Sequence, residues 1–337
     1  MSWRSQRLND YYRWLNFKSL RLAVAALTVG VLASAAAAAP ECHETKRPDG
    51  STINWYLDRP ENARAGIIIL AQGSGCQSAL ASKNLGVARK AFPGFAALMV
   101  DKYGVGPGDD PADPFDKGCS ETFRAHHTMG QRVADYKQVL TPLRDETWWD
   151  GKIVLFGGSE GGGVAARLAP EIDADAAVLL STGGGVTFGE MVRQSIMDEM
   201  ARNAVPRDQW PPVDEAFRKA RENPQSSEVW AGSSYRFWAD AIDRRAVDAM
   251  LLSKSALLLI QGGKDDSTPV ANARSVADLF AKNERCNLTY WEFPSFDHGM
   301  VDLDGRNRMS EVLSLSAAWV NTQLAQGRTT ASCAAPK

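Results

Sequence analysis

The stretch that decides the fold is Lys152–Ala166, KIVLFGGSEGGGVAA. It begins as an apolar run of strand length, reaches glycines, and continues after Ser159 as an alanine-rich segment that favours a helix. The pattern Gly157-x-Ser159-x-Gly161 is that of a nucleophile elbow, a strained turn between strand and helix that exposes a serine. Glycine is required at the flanking positions because side chains there would collide with neighbouring backbone. The sequence therefore predicts Ser159 as a nucleophile, which needs a base, an acid and an oxyanion hole.

The base can be sought by elimination, since the chain contains 4 histidines. His43 lies near the start of the predicted mature chain. His126 and His127 precede a predicted helix, and we expect them to cap it or to face solvent. His298 lies in the loop FDHGM after the last predicted strand, from which a base reaches the carboxyl edge of the sheet. His298 is the predicted base.

The acid is expected to follow the preceding buried strand, in the segment 261–269, QGGKDDSTP. A carboxylate there would fix the tautomer of His298 and stabilise its imidazolium. Two adjacent carboxylates are available, and neighbouring side chains point in different directions. The spacing favours Asp265 as the triad acid, with Asp266 left as the alternative, although it is better suited to capping the following turn.

One oxyanion-hole donor comes with the elbow, as the backbone N–H of Glu160. The other is expected in the glycine-rich loop QGSGC, 72–76, from the N–H of Ser74 or, as the alternative, of Gly75. The Glu160 side chain has three possible roles: contact with substrate, contact with a residue such as Arg236, or a favourable charge at the helix N-terminus. The last is the default interpretation.

The order Ser159, Asp265, His298 resembles that of the α/β-hydrolase fold superfamily. The loop that begins at Gln72 is similar to the H-G-x-G oxyanion motif of that family, with glutamine in place of histidine, and 101–106, DKYGVG, looks like its D-x-x-G-x-G loop. The resemblance covers about 53–324 and is closest to dienelactone-hydrolase-like esterases, acyl-thioesterases and prolyl-oligopeptidase-like peptidases. It implies a serine hydrolase that cleaves a carboxylic ester through an acyl-enzyme, with thioester or small-peptide hydrolysis as alternatives.

Strands that alternate with helices predict an α/β fold with a mostly parallel central sheet and helices on both faces. The predicted strands are 51–57 as an edge strand, 65–71, 95–101, the elbow strand, 175–180, 256–261 and 287–293. At about 185–250 the alternation stops, which predicts a helical cap insertion. Its aromatic residues Trp230, Tyr235 and Trp238 are candidates for substrate binding, and the alternative is that they pack the insertion onto the core.

Residues 1–39 combine a basic start, an apolar stretch and an alanine tract, the layout of a cleaved signal peptide. This predicts a mature hydrolase domain of 40–337 that is exported to the periplasm or secreted; the alternative is an uncleaved membrane anchor. Export makes the cysteines disulfide candidates. The preferred pairs are Cys76–Cys119 and Cys286–Cys333, which leave one of the 5 cysteines unpaired.

A formal charge of −2 gives no indication of nucleic acid or of an anionic membrane as a partner. The sequence lacks the lysine of a phosphate-binding loop and any Cys/His cluster with zinc spacing, so we expect no cofactor and no metal. The expected partner is a small-molecule substrate, with no stable membrane partner after signal cleavage. The rival of another class is an exported binding protein that keeps the fold without turnover. The oligomeric state is not decided by the sequence.

Overall fold

Ten strands are present in the part of the chain that the computed structural model describes, residues 39–60 and 64–327. They are β1 (Glu41–Lys46), β2 (Thr52–Asp58), β3 (Ala65–Ala71), β4 (Phe95–Val100), β5 (Trp149–Gly158), β6 (Ala176–Leu180), β7 (Val229–Trp230), β8 (Ser233–Ser234), β9 (Ala256–Gly262) and β10 (Leu288–Phe293). Eight form one sheet in the order β1-β2-β4-β3-β5-β6-β9-β10, and β7 and β8 form a hairpin. β2 pairs antiparallel with β1 and β4, and the other pairs of the large sheet are parallel. The predicted mostly parallel sheet is confirmed.

Helices cover both faces of this sheet. Successive side chains of a strand point to opposite sides, so an apolar strand presents an apolar surface on each face. In β3, Ile67 and Ile69 belong to one core cluster, and Ile68 and Leu70 belong to the other. The helices are α1 (Lys83–Ala91), α2 (Glu121–His126), α3 (Met129–Leu143), α4 (Glu160–Ile172), α5 (Phe188–Arg202), α6 (Val213–Glu222), α7 (Tyr235–Ala241), α8 (Ala246–Leu252), α9 (Val270–Lys282) and α10 (Met309–Gln326). Helices α3, α4 and α9 pack on the face of Ile67, and α1 and α10 on the opposite face.

The predicted edge strand is not at the edge. Burial in β2 alternates only over its first four residues, since 55–57 are all buried, and β1 pairs along its outer side, from Glu41 opposite Leu57 to Lys46 opposite Thr52. β1 has the sequence ECHETK, and none of its residues is fully buried. Its pairing comes from backbone hydrogen bonds rather than from a buried apolar face, so hydrophobic alternation gives no sign of it.

The segment between β6 and β9, where the insertion at about 185–250 is predicted, contains α5 to α8 and the β7–β8 hairpin. Asp240 of α7 ties it to the main body. Its carboxylate accepts a hydrogen bond from the Gly130 N–H at 2.9 Å and one from Arg167 Nη1 at 3.1 Å. These contacts fix α7 against α3 and α4. The role of this segment as a cap stays a prediction.

The predicted Cys76–Cys119 disulfide is confirmed, with 5.5 Å between the two Cα atoms. It joins the loop after β3 to the segment before α2. Cys42 is free and exposed. Cys286 is disulfide-bonded, and its predicted partner, Cys333, lies outside the described residues.

The predicted signal peptide, residues 1–39, lies outside the described residues except for Ala39. Within 39–60 and 64–327, no helix has both the length and the hydropathy that a bilayer crossing requires.

Candidate active site

Ser159 occupies a strained turn between β5 and α4. Its φ of 53° and ψ of −125° place a non-glycine residue in a sparsely populated region of backbone space. The turn is held on both sides: the Ser159 N–H donates to the Leu180 carbonyl at 2.8 Å, and Thr182 Oγ1 donates to the Ser159 carbonyl at 2.9 Å. This is the local geometry of a nucleophile elbow.

The elbow glycines are required by close backbone approach, as the sequence predicted. A Cβ at Gly157 would collide with the Gly161 carbonyl, and a Cβ at Gly161 would collide with the carbonyls of Ala71 and Gln72. Strand β3 and helix α4 can therefore meet only because the second residue of α4, Gly161, is a glycine.

Gly161→Ala should lower the free energy of unfolding by about 3 kcal/mol, because the new methyl group meets rigid backbone. Gly163, on the same helix, provides the matched control, since a Cβ there would lie 3.7 Å from Met129 Sδ, at ordinary contact distance. Gly163→Ala should raise the free energy of unfolding by about 0.5 to 1 kcal/mol through helix propensity. Urea unfolding of both variants tests this, and equal stabilities would contradict it.

His298 and Asp265 are in direct contact. The His298 Nδ1 atom lies 2.9 Å from Asp265 Oδ2 and 3.0 Å from Oδ1. The Asp265 carboxylate is fully buried and also accepts hydrogen bonds from the N–H groups of Ser267 and Thr268, at 3.0 and 2.7 Å, and from Gln261 Nε2 at 2.7 Å. An ionised carboxylate can only accept, so this contact assigns the proton to Nδ1 and leaves Nε2 as the basic nitrogen.

The alternative acid, Asp266, lies elsewhere. Its side chain is 47% exposed, and its Oδ2 atom lies 3.4 Å from Arg202 Nη2 on α5. The structure thus places Asp265, and not Asp266, against His298.

The loop after β6 brings the elbow and the histidine together. Ser181 Oγ donates to the His298 carbonyl at 3.0 Å, and the next residue, Thr182, donates to the Ser159 carbonyl. The strands β5, β6, β9 and β10 are also consecutive in the sheet, so Ser159, Asp265 and His298 follow the carboxyl ends of neighbouring strands. Within the described residues Ser159 Oγ makes no hydrogen bond, so a closed triad stays a prediction.

The charge of Asp265 changes the proton affinity of His298. Burial alone would lower the pKa of the imidazole, but the hydrogen bond to Asp265 and the charge of that carboxylate outweigh burial. The pKa of His298 is therefore raised above its ordinary value of 6.5.

The predicted oxyanion loop, Gln72–Gly75, lies against the elbow. A Cβ at Gly73 would be 3.4 Å from the Gly158 carbonyl oxygen and 3.9 Å from Ser159 Cβ. Within the described part of the chain, neither the Ser74 N–H nor the Glu160 N–H has a hydrogen-bond acceptor. Both predicted donors are therefore available to a ligand oxygen.

Glu160 is the first residue of α4, the position on which the default interpretation rests, but its side chain is buried and makes further contacts there. Its carboxylate is 5% exposed and lies among three basic residues. Its Oε1 atom is 2.7 Å from Arg132 Nη1, 3.3 Å from His127 Nε2 and 3.7 Å from Lys102 Nζ. Burial alone would raise the pKa of Glu160, but the charge of Lys102, the contact with His127 and the charge of Arg132 outweigh burial and hold that pKa well below its usual range.

Sequence reasoning missed the three basic residues of this cluster, which are Lys102, His127 and Arg132. The prediction that His127 caps the next helix or faces solvent is wrong: it is 4% exposed, and burial lowers its pKa to about 4. Lys102 is fully buried, which lowers its pKa to about 7. The suggested contact between Glu160 and Arg236 is also wrong, since Arg236 Nη1 donates to the Ala125 carbonyl.

The candidate substrate-binding aromatics lie in a cluster of the insertion. Tyr235 and Trp238 are 5% and 4% exposed. The indole N–H of Trp238 donates to the Trp230 carbonyl, and its ring packs against Phe217 and Phe237. These contacts show packing within the insertion, and a contact with substrate stays a prediction.

Comparisons with protein-family models and with curated proteins found no match. Solved structures do match. Est1E from Butyrivibrio proteoclasticus has 18% sequence identity and a TM-score of 0.56, over 84% of this chain and 99% of that one. The α/β hydrolase GrgF from Penicillium sp. sh18 has 15% identity and a TM-score of 0.56, over 86% and 100%. The Pyrococcus furiosus esterase Pf2001 has 14% identity and a TM-score of 0.57, over 86% and 92%. These matches confirm the predicted fold.

Proposed function

We propose that this chain, which has the α/β-hydrolase fold, is an exported serine hydrolase that cleaves carboxylic esters. The observation that carries the proposal is the buried Asp265 carboxylate on His298 Nδ1, at the edge of the sheet where Ser159 occupies its strained turn. A buried carboxylate that fixes a histidine tautomer beside a strained serine is the arrangement needed to activate a hydroxyl group.

The reaction would proceed in two steps. Ser159 Oγ attacks the ester carbonyl carbon while His298 Nε2 takes the hydroxyl proton, and the N–H groups of Glu160 and Ser74 hold the oxyanion. The imidazolium then gives its proton to the leaving alcohol. Water attacks the acyl-enzyme with His298 again as the base, and the acid product and free serine result. Asp265 stays ionised and stabilises the imidazolium.

Labelling of the purified mature protein with a fluorophosphonate tests the proposal, because such probes need an activated serine. Peptide mapping should place the adduct on Ser159, and His298→Ala should abolish it. Absence of an adduct on a folded sample would contradict the hydrolase proposal and favour the binding-protein alternative.

An ester substrate is supported by the solved structures that match. Pf2001 is described as an esterase, and Est1E is described with bound ferulic acid. Thioester and small-peptide hydrolysis remain the alternatives, and parallel assays with 4-nitrophenyl esters, acyl thioesters and aminoacyl anilides separate them. The highest kcat/KM on a thioester or an anilide would replace the ester proposal.

Export is supported by the Cys76–Cys119 disulfide, since such bonds persist in oxidising compartments. N-terminal sequencing of the protein recovered from the periplasm or medium should begin near Pro40. A full-length chain recovered from the membrane fraction would favour the anchored alternative.

The acid limb of kcat/KM should have its midpoint above pH 6.5. His298 must be neutral to act as a base, and its pKa is raised, so activity falls as the pH falls through that value. Asp297, whose charge also raises this pKa, provides a test: Asp297→Asn should move the midpoint to lower pH, and Asp278→Asn on α9 should not. An acid limb below pH 6, or one that Asp297→Asn leaves in place, would contradict the assignment.

A further inference from the structure

Three carbonyl oxygens of the oxyanion loop accept hydrogen bonds from two buried cations. Arg132 Nη2 donates to the Gln72 carbonyl at 2.6 Å. Lys102 Nζ donates to the carbonyls of Gly73 and Gly75, both at 2.6 Å. The side chains of Arg132 and Lys102 are 3% and 0% exposed. These cations therefore donate to the carbonyl side of the loop, which we call its back, rather than to solvent.

These contacts also set the direction of the loop N–H groups. The described residues contain no cis peptide bond, and in a planar trans peptide the N–H points opposite to the C=O. The Gln72 carbonyl shares its peptide plane with the Gly73 N–H, and the Gly73 carbonyl shares its plane with the Ser74 N–H. When Arg132 and Lys102 hold these carbonyls on one side, both N–H groups must point to the other side.

The third peptide completes this arrangement. The Gly75 carbonyl shares its plane with the Cys76 N–H, which donates to the Pro114 carbonyl at 2.8 Å. This peptide group is therefore hydrogen-bonded through both its C=O and its N–H. Within the described residues the N–H groups of Gly73, Ser74 and Gly75 have no acceptor, and the first two share their peptide planes with the carbonyls that Arg132 and Lys102 hold.

The Glu160 carboxylate holds both cations. Its Oε1 atom contacts Arg132 at 2.7 Å and Lys102 at 3.7 Å. Buried positive charges without an anion would be strongly unfavourable, so this carboxylate is what allows the two cations to lie behind the loop. The same residue follows Ser159 directly and carries the other predicted oxyanion donor on its backbone.

We propose that Glu160, Arg132 and Lys102 are positioning residues that aim the N–H groups of the oxyanion loop at the transition state formed on Ser159. This role rests on the proposed serine-hydrolase function. Oxyanion stabilisation requires donors that are oriented before the reaction, and charge-assisted hydrogen bonds to the carbonyls provide that orientation. They also polarise the peptides, which strengthens the N–H donors. Glu160 thus links the two halves of the oxyanion hole, with its N–H on one side and its carboxylate on the other.

Arg132→Met and Lys102→Met test the proposal in assays with 4-nitrophenyl butyrate. Active serines are first counted by titration with diethyl 4-nitrophenyl phosphate, so that kcat refers to folded, competent enzyme. Each variant should lose about 10- to 100-fold in kcat per titrated serine, with KM changed less than about threefold, because the lost interaction stabilises the transition state. The inhibition constant of butylboronic acid, which forms a tetrahedral adduct, should rise by the same factor.

Arg47→Met is the matched control. Arg47 forms an equally buried ion pair with Asp135 of α3, at 2.8 Å, without contacting the oxyanion loop. Its loss should reduce stability and the number of titratable serines but leave kcat per serine unchanged. Arg132→Lys keeps the charge but lacks the guanidinium fork that donates from Nη1 to Glu160 and from Nη2 to Gln72, so it should fall between wild type and Arg132→Met. Arg132→Lys is the variant to be assayed if Arg132→Met does not fold.

The outcomes separate this inference from the proposed function. A folded wild-type protein without a titratable serine would overturn the proposed function and, with it, the inference. A titratable wild type with unchanged kcat per serine in both the Arg132 and Lys102 variants would overturn the inference alone. An equal loss of kcat per titrated serine in these variants and in Arg47→Met would also overturn the inference, since that pattern indicates general destabilisation.

Discussion

Ser159→Ala should lower kcat for ester hydrolysis by about 10⁴- to 10⁶-fold, because it removes the nucleophile on which both chemical steps depend. Residual turnover above the rate in water would come from substrate binding and the oxyanion donors alone. Steady-state assays with 4-nitrophenyl butyrate measure the loss, and the fluorophosphonate adduct should disappear with it.

The same substitution should leave the thermal unfolding midpoint within a few degrees of wild type. Within the described residues Ser159 Oγ makes no hydrogen bond, and the contacts that hold the turn are made by its backbone N–H and C=O, which alanine keeps. Ser314→Ala is a control for serine loss, since this hydroxyl bonds to the Ser310 carbonyl on the exposed side of α10. Measurable turnover by Ser159→Ala within tenfold of wild type would contradict Ser159 as the nucleophile.

The central strands could be predicted from the sequence because burial on both faces requires a continuous apolar run. The run Ala65–Ala71 has the same bounds in the sequence prediction and in β3, where every residue is buried. The predicted 256–261 and 287–293 differ from β9 and β10 by one residue at one end of each. The elbow glycines could be predicted because the steric requirement is local to the turn.

The charged cluster behind the oxyanion loop could not be predicted, because it depends on segments that are distant in the chain. Lys102 follows β4, His127 is the residue after α2, Arg132 lies in α3 and Glu160 begins α4. Each of these residues, taken alone, is of a charged or polar type that usually lies at the protein surface. Their burial becomes favourable only when the fold brings the opposite charges together.

One signal for Arg132 was present in the sequence. It directly precedes Val133 and lies one turn before Tyr136, two apolar residues whose spacing of three is typical of one helix face, and these two residues are 5% and 1% exposed. An arginine on such a face needs a buried partner. The sequence indicates that need, and only the fold identifies Glu160 and the Gln72 carbonyl as its partners.

Asp265→Asn should lower kcat by about 10³- to 10⁴-fold and leave the fold intact. The asparagine oxygen can still accept from the N–H groups of Ser267 and Thr268, so the turn keeps its backbone hydrogen bonds, and the hydrogen bond that Gln261 Nε2 donates to Oδ2 is lost. The amide nitrogen would then face His298 Nδ1 as a second donor, and the imidazole would take the tautomer with its proton on Nε2. A protonated Nε2 cannot accept the serine proton, so the base is lost although every residue stays in place.

Asp266→Asn is the matched control for Asp265→Asn, since it removes the same charge one residue away, from a side chain that is 47% exposed and directed to Arg202. It should change kcat by less than about threefold, because a screened surface carboxylate contributes little at this distance. The two variants therefore separate the hydrogen bond to His298 from the general negative potential of this loop. If Asp266→Asn were the inactive variant, the triad acid would be misassigned. If both variants kept wild-type kcat, a histidine oriented by a carboxylate would not be part of the mechanism.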